Sequence, residues 1–299
     1  MSKSDVEFQR WVSIRDSSWP YLVFRKYTQE LNKMMWANES VSKYTYKSLG
    51  NSGALWTDKA SMHFDFRVDD GHEIYTDLKD WSDSYNQFQN WTNLNGLMAI
   101  TSNFETYIST IVSLSLESDP GVLFKSPKSI DGVSLLKIGA KKSPFEQDII
   151  ISFTKGDWNS RKNAFLRYFD FVPKSVSDNI GELEKIRKLR NKIGHAFGRD
   201  IESSRNSEVK HILPMEYLSL KKFISIKKII WNCVNDIDAY LLKTHIGEYQ
   251  IIKFYHSIES QLNGNLGNKA MAFKKKIGTY GDLSGKKYCM GLVKYYDAL

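Results

Sequence analysis

Apolar side chains recur at intervals of three and four residues from position 91 to position 118, which is the spacing of one face of an α-helix. The Ser-Asp-Pro-Gly sequence at 118–121 ends the pattern. Similar patterns cover residues 158–169, 179–194, 214–243 and 247–262. Because amphipathic helices bury their apolar faces against one another, these patterns predict a mainly α fold with a helical core over residues 91–262.

The first 90 residues differ in texture, since six of the eight tryptophans lie at or before position 91. Apolar spacing predicts a helix over residues 21–35. Residues 61–75 instead alternate apolar and polar side chains around an Asp70-Gly71 turn signal, which predicts a β-hairpin. We therefore expect a smaller mixed α/β region over residues 1–90, in which the tryptophans fill a core.

Two further segments complete the predicted organisation. Residues 121–144 are rich in Lys, Ser, Gly and Pro, and a strand-like run follows at 148–153, so an insertion is predicted at about 119–156. Residues 263–299 are rich in Gly and Lys and are interpreted as a basic C-terminal tail. Such a tail is either loosely ordered or binds phosphates through its lysines and stacks bases on its aromatic rings.

Composition narrows the class of protein. The formal charge of +8 favours a polyanionic partner such as RNA. Two cysteines do not make a disulfide framework, and no apolar stretch approaches the length of a membrane span or of a signal peptide. We expect a cytoplasmic protein without membrane contact. Cys233 falls on the apolar face of its predicted helix, which indicates a core position and not a catalytic thiol.

The helical pattern of residues 181–190 runs into a short segment with the groups of a phosphodiesterase: Arg190, Asn191 and His195. Histidine accepts and donates protons near neutral pH, and arginine stays charged and contacts two phosphate oxygens at once. Beside an RNA linkage, such a pair can assist attack of the ribose 2′-OH and stabilise the charge on the phosphoryl oxygens. The required 2′-OH makes RNA the expected substrate.

One helix does not bring this pair together. Positions 190 and 195 lie roughly 140° apart around an ideal helix, whereas Asn191 and His195 share a face. Gly194 could also end the helix and let His195 turn away. In either case, a symmetric dimer would supply two copies of the segment across a shared cleft.

The Arg190-Asn191-x-x-x-His195 pattern resembles the R-N-x-x-x-H form of the motif of the HEPN superfamily, all-helical proteins that include many metal-independent ribonucleases. The order of helices around it, over roughly residues 91–245, resembles the four-helix core of that family. The resemblance implies that Arg190 and His195 are catalytic, that Asn191 orients the RNA or the histidine, and that the site forms in a homodimer. It also implies a role in antiviral defence, abortive infection or a toxin–antitoxin pair, with an antitoxin or sensor protein as a further partner. The expected RNA-binding residues are Arg187, Lys188, Lys192 and Arg199.

Blander interpretations of the same residues stay open. Cations near a helix C-terminus interact favourably with the helix dipole, so the basic residues of this segment could form an ordinary solvated face. A member of the family without catalytic activity, which binds RNA or a partner protein, is the alternative function. A polar cluster at residues 63–73 suggests a metal site, but its spacing matches no metal motif, so neither a metal nor another cofactor is expected. Its members are His63, Asp65, Asp69, Asp70, His72 and Glu73.

Overall fold

The structure is a computed structural model that describes residues 6–66, 74–140, 146–196 and 214–299. At positions 195 and 196 it describes the backbone alone. The described part of the chain is mainly helical and contains no β-strand. In chain order the α-helices are α1 (Trp19–Asn51), α2 (Leu78–Ser118), α3 (Gly132–Lys137), α4 (Glu146–Thr154), α5 (Trp158–Phe169), α6 (Lys174–Asp178), α7 (Ile180–Ala196), α8 (Leu220–Leu241), α9 (Tyr249–Ile258), α10 (Leu266–Gly278) and α11 (Lys286–Ala298).

The chain divides into two compact units, and each unit combines distant parts of the sequence. The first unit consists of Met1–Phe24, Phe104–Leu183 and Trp231–Leu299. The second unit consists of Arg25–Asn103 and Glu184–Ile230. Residues 190–195 therefore belong to the second unit, whereas α5, which we expected beside them in a four-helix core, belongs to the first.

The second unit contains segments of four helices: α1, α2, α7 and α8. Between α1 and α2, the Asn38 side-chain amide donates to Gln89 Oε1 at 2.8 Å. Between α2 and α8, the ring of Phe223 lies against Gly96. The buried apolar side chains of this unit include Leu31, Met35, Leu94, Leu97, Ile186, Ile193, Phe223 and Ile226.

The N-terminal residues are fixed in the first unit by a buried arginine. The guanidinium of Arg10 donates to Asp131 Oδ1 at 3.0 Å, to the Ile246 carbonyl at 2.9 Å and to Ser118 Oγ at 2.9 Å. The second of these acceptors lies 236 residues along the chain from Arg10. Side-chain hydrogen bonds, and not sequence continuity, therefore decide that residues 6–24 pack with the C-terminal helices.

The predicted mixed α/β region is not found as such. Helix α1 is 33 residues long, and in the described part of residues 61–75 a 3-10 helix, Ala60–Met62, stands where the first strand of the hairpin was expected. The Phe64 ring lies 4.3 Å from the Trp81 ring and 6.2 Å from the Phe66 ring, between centroids. The period-2 pattern therefore reflects packing of aromatic rings against α2, with the predicted turn itself outside the described residues.

Two other local predictions are wrong. The strand-like run at 148–153 is part of α4, where Ile150 and Phe153 share the buried face and acidic residues occupy the first turn. A short apolar run does not distinguish a buried strand from one face of a short helix. The C-terminal residues form α10 and α11, and Phe273 and Tyr288 are fully buried, so this segment is core and not a loosely ordered tail.

Within the described ranges, none of the helices has a stretch that is both long and apolar enough to cross a membrane.

Candidate functional site

Helix α7 carries the whole Arg190–His195 segment. It begins at Ile180 and continues through Gly194 to Ala196, so Gly194 does not end it. Leu183, Ile186 and Ile193 are buried, as their helical spacing predicts. Because the helix is continuous, positions 190 and 195 stay roughly 140° apart around its axis.

Asn191 is hydrogen-bonded to Arg190 and shares a helical face with position 195. The Arg190 guanidinium donates to Asn191 Oδ1 at 3.3 Å, and both side chains are half-buried. His195 follows Asn191 by four residues on the same helix, so the two share one face. The side chain of His195 and all of Arg199 lie outside the described residues.

Two of the expected RNA-binding cations have carboxylate partners. Arg187 pairs with Glu184 at 2.6 Å, and Lys192 pairs with Glu216 at 3.1 Å. Both pairs are partly solvated, and pairs of this kind contribute at most about 1 kcal/mol, so a phosphate can replace the carboxylate at little cost. Lys188 is exposed on the same helix.

Charge is concentrated around this helix in the sequence. Residues 184–230 contain twelve Lys and Arg against five Asp and Glu, so this segment accounts for most of the net charge of the chain. A cluster of cations beside a proton-transfer group is what a phosphodiester substrate requires. The bulk charge predicted a polyanionic partner, and the sequence already locates the excess at α7 and α8.

Sequence reasoning missed the side chains that α2 contributes next to α7. The space beside Gly194 is bounded by Met98, whose Cε lies 3.7 Å from the position of a Cβ at residue 194. Closer to the N-terminus of α2, the side chains of Phe88 and Trp91 are 47% and 39% exposed. Tryptophans of the first 91 residues were expected to fill a core, but Trp36 and Trp56 are each 53% exposed and Trp91 is 39% exposed, so this expectation is wrong for three of the six. The sequence contains a signal for this row of aromatic side chains on α2, because aromatic residues recur at helical spacing at positions 81, 85, 88 and 91.

The polar cluster at residues 63–73 does not form a described metal site. His63 Nε2 lies 3.0 Å from Asp58 Oδ2, so its partner is a carboxylate outside the predicted cluster. The members Asp69, Asp70, His72 and Glu73 lie outside the described residues. Among the residues that the structure describes, no group of three His, Cys, Asp or Glu side chains is placed to hold a metal ion.

A second histidine forms a buried pair in the first unit. His245 Nδ1 lies 2.9 Å from Asp119 Oδ2, and the residues are 2% and 0% exposed. The carboxylate also accepts the backbone N–H of Lys128 at 2.7 Å. Because no RNA could reach this imidazole without local unfolding, we assign the pair to the stability of the first unit.

Comparison with protein-family models, with curated proteins and with solved structures finds no match to this chain.

Proposed function

We propose that this protein is a metal-independent endoribonuclease of the HEPN type that acts as a homodimer. The observation that carries the proposal is the placement of Arg190, Asn191 and His195 along one continuous helix, with Arg190 hydrogen-bonded to Asn191. The cations around this helix support an RNA substrate. As the resemblance implies, the cellular role would be antiviral defence or toxicity restrained by an antitoxin or sensor protein.

Each group of the segment has a role in the proposed cleavage. The imidazole of His195 takes the proton of the ribose 2′-OH, whose oxygen then attacks the adjacent phosphorus. The P–O5′ bond breaks, and a protonated imidazole returns a proton to the leaving oxygen. Arg190 stabilises the charge on the phosphoryl oxygens, and the Asn191 amide orients the RNA or the imidazole. The products are a 2′,3′-cyclic phosphate and a 5′-hydroxyl, and the chemistry requires no cofactor.

The angle between the two key positions supports a site shared by two copies. One α7 presents residues 190 and 195 in directions that differ by roughly 140°, so the arginine that serves one histidine comes from the second copy. Two α7 helices related by a two-fold axis also provide one imidazole to accept the proton and another to donate it.

The deciding experiment incubates the protein with total cellular RNA in EDTA and maps the new ends. We expect cyclic phosphate ends from the wild type, no cleavage by His195→Ala or Arg190→Ala, and unchanged cleavage by Lys174→Ala, an exposed lysine of α6 in the first unit. The melting temperature and the molecular mass in solution should be the same for the wild type and all variants. Full activity in either α7 variant would show that its residue is not catalytic, and a fully active monomer would exclude the shared site.

A second candidate function, a module that binds a partner protein without catalysis, has an observation of its own. Helix α1 exposes an apolar stripe at seven-residue intervals: Tyr27 is 49% exposed, Met34 64% and Val41 60%. Exposed Lys26 and Lys33 lie along one side of it, where Glu30 is also exposed. A stripe of this kind fits an amphipathic helix whose polar flanks are acidic.

A further inference from the structure

Four aromatic residues form a ladder along one side of α2. The ladder consists of Trp81, Tyr85, Phe88 and Trp91. The Trp81 and Tyr85 rings are stacked at 5.2 Å with an interplanar angle of 8°, and the Phe88 and Trp91 rings are stacked at 6.0 Å and 22°. Tyr85 and Phe88 are 6.2 Å apart, so the rings form a continuous series.

Only the Phe88–Trp91 end of the ladder points away from the core of the second unit, since Trp81 and Tyr85 pack against Tyr46 of α1. Asn90, Asn93 and Leu94 of the same stretch are buried. Phe88 and Trp91 are the most exposed rings of the ladder, whereas Trp81 and Tyr85 are half-buried. A large exposed aromatic pair usually marks a binding surface, because its burial by a ligand removes apolar area from water.

The exposed end of the ladder leads to the proposed site. Trp91, Asn95 and Met98 follow one another at intervals of four and three residues, so they lie on one ridge of α2. At the end of this ridge the Cε of Met98 lies 3.7 Å from the position of a Cβ at Gly194, the residue before His195. The axial rise from Trp91 to Met98 is about 10 Å, which is the span of two or three nucleotides.

Charge distinguishes the two ends of the ladder. Near Trp81 the helix carries Asp80 and an ion pair between Lys79 and Asp83, which disfavours a phosphate backbone. At the opposite end, the side-chain amide of Asn90 donates to the Glu216 carbonyl at 2.8 Å, and the Glu216 carboxylate pairs with Lys192 of α7 at 3.1 Å, so this end lies near a cation of α7. A polyanion therefore gains most at the Phe88–Trp91 end.

We propose that Phe88 and Trp91 stack unpaired bases of the RNA that α7 cleaves, so that the substrate is single-stranded RNA. The inference rests on the proposed ribonuclease function. Rings can stack only on bases that are free of a duplex, and such stacking is tolerant of sequence. The cations of α7 then hold the phosphates that follow the stacked bases.

The test measures binding separately from cleavage. A fluorescein-labelled 12-nucleotide oligouridylate is titrated with the His195→Ala protein by anisotropy, alone and annealed to its complement. Phe88→Leu and Trp91→Leu, made in the same background, keep an apolar side chain and remove the ring. Tyr44→Leu is the matched control, because Tyr44 is a 75% exposed ring on α1 of the same unit.

We expect each ladder variant to lower the affinity for the single strand about five-fold or more, while Tyr44→Leu binds like the parent. The duplex should bind more weakly than the single strand. The inference would be overturned if all variants bound the single strand with equal affinity or if the protein preferred the duplex. It would also be overturned if the ladder variants changed the oligomeric state, because the rings would then belong to a protein–protein contact. If the ladder controls binding but the wild type never cleaves RNA, the ribonuclease proposal fails and the stacking surface stands.

Discussion

The Cε of Met98 lies 3.7 Å from the position that a Cβ would take at Gly194, which is an ordinary van der Waals distance. Helix α7 continues through this glycine. The site therefore keeps helical geometry up to His195 although its sequence contains a residue that often ends helices.

Substitution of this glycine should stabilise the protein. Gly194→Ala adds a methyl group without a clash and removes the backbone entropy of a helical glycine, so we expect the free energy of unfolding to rise by about 0.5–1 kcal/mol. Gly96→Ala is the contrasting variant, since its Cβ would lie 2.8 Å from Cζ of the buried Phe223 ring. It should lower the free energy of unfolding by about 1–3 kcal/mol. Urea unfolding measures both, and a destabilised Gly194→Ala would contradict helical geometry at this position.

Loss of the Asp119 carboxylate should strongly destabilise the first unit. Asp119→Ala leaves the buried Nδ1 of His245 and the backbone N–H of Lys128 without their acceptor, which should cost about 3 kcal/mol or more. Asp58→Ala removes the similar but more exposed contact with His63 and should change stability much less. Thermal unfolding of the two variants measures both losses of stability. Equal losses would show that the burial of the histidine–carboxylate pair does not determine its contribution to stability.

Both cysteines should be inert in the folded protein. Burial raises the pKa of the Cys233 thiol to about 12 and that of Cys289 to about 11. Because the thiolate is the reactive form and neither side chain is exposed, a disulfide reagent at pH 8 should react slowly with the native protein and rapidly with two thiols in guanidinium. Fast native labelling of either thiol would contradict its position in the core.

The α1 stripe allows a test of the partner-binding function. Met34→Lys and Val41→Lys should change the free energy of unfolding by less than about 0.5 kcal/mol, since both side chains are exposed. A synthetic amphipathic helix with leucine at its apolar positions and glutamate at its flanks should bind the wild type and lose affinity for both variants. The same peptide with lysine flanks is the control for charge. If the two peptides bound equally well, the lysines beside the stripe would not determine the charge of the partner.

The helical patterns predicted most of the secondary structure because burial of an amphipathic face leaves a period in the sequence. Residues 158–169 match α5, and the 91–118 pattern lies within the longer α2. Residues 61–75 were harder to predict, since their apolar side chains alternate locally, whereas Phe64 packs against Trp81 of the following helix, α2. In the C-terminal residues, frequent lysines made the helical spacing of the apolar side chains hard to recognise. Only the tertiary structure shows that these apolar side chains are buried.

The candidate site was predictable in its chemistry and not in its surroundings. Arg190, Asn191 and His195 are recognisable from residue type and spacing. The Arg187–Glu184 pair is local to α7. The partner of Lys192, which is Glu216, and the position of Met98 of α2 beside Gly194 depend instead on contacts between distant segments.

The sequence by itself determined the helical class, the position of the basic segment and the residues able to transfer a proton and bind a phosphate, because these follow from local period and side-chain chemistry. Tertiary structure alone decided the grouping of segments. The Arg10 hydrogen bonds place the N-terminal residues with the C-terminal segments, and the position of Met98 next to Gly194 places α2 beside the motif. Such contacts join residues up to 236 positions apart, and no local pattern encodes them.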